Sequence, residues 1–136
     1  MRAFSSIKTG REKARFIART SSEKKGEDIV LMDVRKVSGV CDWFVLVSAS
    51  SSRRLKGISE AIQKDLSEKK VFPLHVEGRH NPYWTLLDYG DVVVHIFYKD
   101  IRGFYGLERL WADAPKECFE AKCLKKTYRK RSRKSS

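Results

Sequence analysis

Two apolar segments joined by a short turn form the clearest pattern in this chain. Trp84–Tyr89 and Val92–Phe97 are rich in aromatic and β-branched residues, and Gly90-Asp91 separates them. Gly followed by Asp between two such segments predicts a β-hairpin with a two-residue turn. Val92–Val94 contains no polar position, so we expect this strand to be covered on both faces, one of them by helices. An isolated hairpin is only marginally stable, so further strands are expected beside it.

Three more apolar runs predict the other strands. Asp28–Val34 and Trp43–Val47 are short and rich in β-branched residues. The segment between them is too short for a crossover helix, which predicts antiparallel neighbours. Val71–Glu77 is broken by Pro73, which removes a backbone donor and favours an edge position.

Helical periodicity predicts three helices. The first spans Ile7–Lys25 and is expected to end at Gly26, and the second begins at a run of serines and continues to about Lys69. Apolar residues recur along the second helix at helical spacing, at Leu55, Ile58, Ala61, Ile62 and Leu66. The third spans Ile101 to about Trp111, before Pro115. The order of elements predicts one α/β domain at residues 1–115, with a mixed sheet of about five strands covered by helices.

Positive charge is concentrated at the carboxyl end. The chain of 136 residues has a formal net charge of +12, and Lys122–Ser136 holds eight Lys or Arg and no acid. Without that segment, 21 basic and 17 acidic residues remain, a net charge of +4. We therefore predict a basic, disordered tail at residues 116–136. Such a tail is typical of nonspecific attraction to a polyanion such as RNA, and it is equally consistent with a solubilising terminus.

Composition narrows the class of protein. No run approaches the roughly 18 apolar residues that cross a bilayer, and the amino-terminal segment lacks the apolar core of a secretory signal. Three cysteines at unpaired spacing, Cys41, Cys118 and Cys123, predict reduced thiols in a cytosolic protein. We expect a cytoplasmic protein.

Residues capable of catalysis or metal binding lack the required patterns. Asp33, Asp42, Asp88 and Asp91 fall at strand ends or turns, where carboxylates can bind Mg²⁺ for a nucleotidyl transfer. However, the chain has no Asp-x-Asp pair and no phosphate-binding GxxxxGK[ST] loop. The histidines and Glu77 offer no fourth ligand for zinc. We therefore predict no enzyme activity, no metal site and no cofactor.

The first hairpin strand offers a binding surface instead. Alternation places Trp84, Leu86 and Asp88 on one face and Thr85, Leu87 and Tyr89 on the other. Aromatic side chains beside a charge are typical anchors of protein interfaces. A core tryptophan beside a turn-capping aspartate is the alternative, and the pattern alone does not separate the two.

Several motifs resemble those of the ribosomal silencing factor family, also called RsfS or Iojap. The matching segments are DIVLMDVR at 28–35, CDWFVLVSASSSRRL at 41–55, EG at 77–78, WTLLDYGDVVVHIF at 84–97 and RGFYGLERLWADAP at 102–115. The resemblance covers about residues 12–115 and implies a nucleotidyltransferase-like fold without the catalytic pair. It further implies a factor that binds the large ribosomal subunit through ribosomal protein uL14, blocks joining of the small subunit and so represses translation.

The resemblance also implies which residues bind the partner. Its motif carries over to Trp84, Asp88, Tyr89, Asp91 and His95, with Glu77, Tyr105 and Glu108 as further candidates. Beyond the matched region, we expect the tail to contact ribosomal RNA through Lys125, Lys126, Arg129, Lys130, Arg131, Arg133 and Lys134.

Two other functions and one question of assembly stay open. The first is an RNA-binding ribosome-assembly accessory protein that works mainly through the tail. The second is an Mg²⁺-dependent nucleotidyl transferase. Formation of a homodimer through the hairpin or the last helix is also left open by the sequence.

Overall fold

The computed structural model of this chain describes residues 9–36, 39, 41–102 and 114–119, which form two helices and six strands. The helices are α1 (Gly10–Glu23) and α2 (Ser52–Ser67). The strands are β1 (Glu27–Asp33), β2 (Trp43–Ala49), β3 (His75–Glu77), β4 (Trp84–Asp88), β5 (Val92–Tyr98) and β6 (Lys116–Cys118). Neither described helix is long and apolar enough to cross a membrane.

All six strands belong to one mixed sheet, in the order β3-β4-β5-β2-β1-β6. Only the central β2–β5 pair is parallel; the other neighbouring pairs are antiparallel. The predicted α/β class, the antiparallel β1–β2 pair and the edge position of β3 are confirmed. The parallel pair is reached through α2, β3 and β4, which together supply the long connection that parallel strands require.

The predicted hairpin is confirmed, and its turn follows from Gly90. The backbone N–H of Tyr89 donates to the carbonyl of Val92 at 2.8 Å, and Gly90 has φ of 92°. A positive φ at the first central residue is typical of a type II′ turn, whose twist matches that of paired strands. β4 and β5 therefore continue directly from a correctly twisted turn.

Both helices pack on one face of the sheet. Their buried side chains, including Ile17 and Ile58, join Val45, Val92 and Val94 in one apolar cluster. A second cluster lies on the opposite face and includes Met32, Leu46, Val93, Phe97 and Ala114. The expectation that Val92–Val94 is covered on both faces is therefore confirmed.

Side-chain hydroxyls cap the beginning of each helix. Thr9 Oγ1 accepts from the backbone N–H of Glu12, and Ser51 Oγ accepts from that of Arg54, both at 3.1 Å. These bonds satisfy donors that lack an intrahelical partner. The serine run was therefore correctly predicted as a helix cap.

Gly26 has a different role from the predicted one. Lys25, with φ of 68°, adopts the left-handed conformation after α1, while the N–H of Gly26 donates to Ser21 O at 2.7 Å. A Cβ at Gly26 would lie only 2.7 Å from Val47 Cγ1. The glycine is therefore required for close approach to β2.

Two predicted boundaries also change. Only His75–Glu77 of the predicted strand Val71–Glu77 is a strand, because Pro73 has no N–H to donate. Lys116–Cys118, predicted as the beginning of the disordered tail, pairs with β1, so the sheet continues beyond residue 115. Residues 103–113, with most of the predicted third helix, and 120–136, with most of the predicted tail, lie outside the described residues.

Candidate functional site

The face of the sheet opposite α1 and α2 carries the main candidate residues. Strand register places Trp84 beside Phe97, Leu86 beside His95 and Glu77 beside Leu86. Directly paired residues project on the same side, so β3, β4 and β5 contribute to one surface. We call this surface the Trp84 face and define it by Phe44, His75, Glu77, Trp84, Leu86, Asp88 and His95.

A buried histidine organises the centre of the Trp84 face. The indole Nε1–H of Trp84 donates to His95 Nδ1 at 3.4 Å, a long hydrogen bond. The imidazole stacks on Phe97, with ring centroids 5.9 Å apart, and Phe44 meets it edge-on at 5.4 Å. The two rings hold the imidazole from two directions, and the imidazole in turn accepts the hydrogen bond from the indole.

Burial determines the charge of that imidazole. His95 is only 8% exposed, and desolvation lowers the pKa of its imidazole to about 4. The ring is therefore neutral near pH 7, and Nδ1 is free of a proton to accept from Trp84. Burying the neutral imidazole among apolar groups costs much less free energy than burying the imidazolium cation would.

Three large apolar side chains around His95 are only partly buried. Phe44, Trp84 and Leu86 pack against the second apolar cluster while each retains some contact with solvent. Partly exposed aromatic and aliphatic groups beside one another are typical of protein docking surfaces. The Trp84 face therefore offers an apolar platform supported from below by the core.

Carboxylates flank this platform on the side of β3. Asp88 is partly exposed, and its Oδ1 accepts from the N–H of Gly90 at 2.8 Å. Glu77 is exposed and lies 2.6 Å from His75 Nε2. Asp88 therefore caps the hairpin turn with one oxygen, and its capping role agrees with the alternative interpretation of the sequence. That role is compatible with a second contact outside the molecule, since a carboxylate has several acceptor positions.

Two candidates lie on the other side of the sheet. Tyr89 is 6% exposed among the helix-side core residues, and burial raises the pKa of its phenol. Asp91 Oδ1 accepts from Lys13 Nζ at 2.8 Å and so connects the hairpin turn to α1. Neither residue contributes to the Trp84 face, and both positions indicate a structural role.

Sequence reasoning left Phe44 and Leu86 out of the candidate site. Leu86 was placed on the same strand face as Trp84, and its side chain alone gave no sign of binding. Phe44 joins His95 only through the parallel register of β2 and β5, which no local pattern indicates. Tyr105, Glu108 and the basic residues of the tail lie outside the described residues, so their roles stay predictions.

Asp33, one of the carboxylates at strand ends considered for Mg²⁺, makes a structural contact. Asp33 binds Arg35 through both oxygens, at 2.9 and 2.7 Å, and this hydrogen bonding lowers the pKa of the Asp33 carboxyl. Within residues 9–36, 39, 41–102 and 114–119, no three His, Cys, Asp or Glu residues form a group suited to a metal ion. Cys41 is buried, and its thiol donates to Trp43 O at 3.7 Å.

Comparison with known proteins connects this geometry to one family. The family model described as "Ribosomal silencing factor during starvation" matches residues 7–136, which extends beyond the resemblance found by motif. The ribosomal silencing factor RsfS of Bacillus subtilis is 38% identical over 98 residues, covering 72% of this chain and 83% of that protein. The chloroplastic Iojap protein of Zea mays is 38% identical over 99 residues, covering 72% of this chain and 42% of that protein.

A solved structure shows the same fold. A crystal structure of a Chromobacterium violaceum protein matches with a TM-score of 0.75 at 28% identity, covering 77% of this chain and 88% of that one. A second crystal structure, from Bacillus halodurans, matches with a TM-score of 0.70 at 31% identity, covering 79% and 97% of the two chains.

Proposed function

This chain belongs to the ribosomal silencing factor family, and from that premise we propose that it represses translation by occupying the large ribosomal subunit. Membership implies a role in translation regulation and a ribosomal partner. The finer proposal is that the chain binds ribosomal protein uL14 through the Trp84 face and so keeps the small subunit from joining. It acts in the cytoplasm, as a binding protein and not as an enzyme.

The chemistry of the Trp84 face supports this proposal. Phe44, Trp84 and Leu86 present partly exposed apolar area on a rigid sheet, and the buried His95 holds the indole in place. Tryptophan in a supported position is among the residues that contribute most to binding energy in protein interfaces. A preorganised platform loses little conformational entropy on binding, which increases affinity.

The charge beside the platform favours a basic partner. Glu77 and Asp88 lie on the same side of the sheet as Trp84, toward β3. A carboxylate that meets Arg or Lys at an interface forms a charge-assisted hydrogen bond, which is stronger than a neutral one. A ribosomal protein with basic side chains at the docking site would satisfy this arrangement.

Repression by this route requires affinity and no chemical step. A factor that binds one subunit competes with the other subunit by mass action, so repression depends on its concentration relative to its dissociation constant. The proposal needs no cofactor. Formation of a homodimer would compete with docking if it used the same face.

Binding to purified large subunits tests the proposal directly. We expect Trp84→Ala to weaken co-sedimentation by about 30-fold or more, corresponding to about 2 kcal/mol. Asp88→Asn should weaken it by about tenfold, because the amide oxygen can still cap Gly90 while the charge is lost. Both variants should restore joining of the two subunits in proportion to their lost affinity.

Matched variants on the helix side provide the controls. Phe16 is a partly exposed aromatic residue on α1, and Glu23 is an exposed acid there. Phe16→Ala and Glu23→Gln should bind like the parent. If Trp84→Ala folds normally, by circular dichroism, and still binds large subunits with parental affinity, the Trp84 face is the wrong surface. Parental binding without any block of joining would contradict the steric mechanism.

A further inference from the structure

A groove on the helix side of the sheet carries unpaired positive charge. It lies between the first half of α2 and the loop from β3 to β4, with a volume of about 470 Å³. Arg53 and Lys56 approach from α2, and Arg79 and His80 approach from the loop. Residues three apart on a helix share a face, so Arg53 and Lys56 are directed to the same side.

The loop that forms one wall is held in place by several bonds. Ser52 Oγ donates to Pro82 O at 2.9 Å, and Thr85 Oγ1 donates to Gly78 O at 3.1 Å. The N–H of Tyr83 donates to Asn81 Oδ1 at 2.8 Å. The wall is therefore tied to both α2 and β4, and the groove exists before any ligand binds.

The cations of the groove are not paired with any described carboxylate. Within the described part of the chain, Arg53, Lys56 and Arg79 take part in no ion pair, unlike Lys13 or Arg35. Among the described residues, Glu60 is the only acid that lines the groove. Like charges gathered around one concavity repel one another, and a bound anion would relieve that repulsion.

The lining indicates which anion fits. Sites for small organic molecules are mostly apolar, whereas Leu55 and Pro82 are the only strongly apolar residues here. The described residues that line the groove include no Phe, Tyr or Trp, so they offer no platform on which an unpaired base would stack. Exposed cations without stacking groups suit the phosphates of double-helical RNA, which proteins recognise by backbone and shape.

We propose that this groove binds the phosphodiester backbone of a double-helical segment of ribosomal RNA, an inference that rests on the proposed ribosomal partner. Trp84 and Thr85 are adjacent on β4 but project to opposite faces, the first to the Trp84 face and the second to the groove. The two surfaces therefore meet at the beginning of β4. A protein docked on the Trp84 face leaves the groove open for neighbouring RNA.

Binding of a short RNA duplex, without ribosomal protein, tests this inference separately from the proposed function. The triple variant Arg53→Gln, Lys56→Gln, Arg79→Gln should bind the duplex about tenfold or more weakly at low salt. Each lost phosphate contact reduces the slope of log affinity against log salt by about 0.9 for duplex DNA, so we expect a reduction of about two to three. Fluorescence anisotropy over a salt series measures both quantities.

Two further variants control for net charge. Arg19→Gln, Lys24→Gln, Lys36→Gln removes the same charge from exposed positions outside the groove and should change the slope much less. Glu60→Gln removes the only acid in the groove and should strengthen binding. The inference is overturned if the two triple variants lose affinity equally, or if Glu60→Gln has no effect.

A free nucleotide is the competing occupant. ATP in large excess should leave the bound duplex in place, since a single triphosphate replaces few of the duplex contacts. Displacement of the duplex by equimolar ATP would instead identify a small-molecule site and overturn the assignment to RNA. Failure of large-subunit binding with intact duplex binding would contradict the proposed function and leave the groove assignment standing.

Discussion

The buried imidazole of His95 should make the stability of this fold depend on pH. Its folded pKa is about 4, lowered by burial, while an exposed histidine in the unfolded chain has a pKa of about 6.5. Between about pH 6.5 and about pH 4, His95 is protonated in the unfolded chain but stays neutral in the folded chain. The contribution of His95 to the free energy of unfolding therefore decreases as the pH falls through this window, and it is constant above it.

The two pKa values give the magnitude. A difference of about 2.5 units corresponds to about 3 kcal/mol when the pH is below both values. At about pH 5 the unfolded histidine is almost fully protonated and the folded one is mostly neutral, so about 2 kcal/mol is lost relative to about pH 7.5. A loss of this size is a large fraction of the stability of a small domain.

His95→Asn isolates this contribution. The asparagine Oδ1 takes the position of the imidazole Nδ1 and can still accept from the indole of Trp84, and the side chain has no proton to gain. We expect urea unfolding to show that the parent loses about 2 kcal/mol more than the variant between about pH 7.5 and about pH 5. Equal losses in parent and variant, or an NMR titration of His95 with a pKa above 6, would refute the reasoning.

Two further predictions concern stability. Tyr89→Phe should leave the free energy of unfolding unchanged or raise it by about 1 kcal/mol in urea denaturation, because the buried hydroxyl has no hydrogen-bond partner within the described residues; a loss above 1 kcal/mol would reveal a missed partner. Gly78→Ala should cost at least about 1–2 kcal/mol in the same assay, since φ is 75° and the new Cβ would lie 2.4 Å from Trp84 O. Gly57→Ala, at a helical position with open space, should instead stabilise by about 0.5–1 kcal/mol and serves as its control.

Local patterns predicted the elements that depend on local chemistry. The Gly90 turn, the Ser51 cap and the alternation along β4 each follow from a preference that acts within a few residues. For this reason the prediction that Trp84 lies on the opposite face of the sheet from Thr85 and Tyr89 was correct. The length of β3 was overestimated because the apolar run continues through Pro73, which cannot donate a backbone hydrogen bond to a neighbouring strand.

Features that depend on long-range register were not predictable in this way. β6 has only three residues and no apolar run, and it is a strand because β1 offers it an open edge. The contact between Phe44 and His95 requires β2 and β5 to be parallel and in one particular register. Gly26 was predicted from sequence to end a helix. The structure shows that a side chain at this position would also collide with Val47, which is distant in the chain.

The position of β6 has a consequence for how the chain folds during synthesis. β1 is synthesised well before β6, so the outer edge of β1 receives its partner only when residues 116–118 have been made. Glu117 then also joins α1 by ion pairs with Arg11 and Arg15. Until that moment the backbone groups along this edge remain available to strands of other nascent chains, so synthesis passes through an interval of exposure to aggregation.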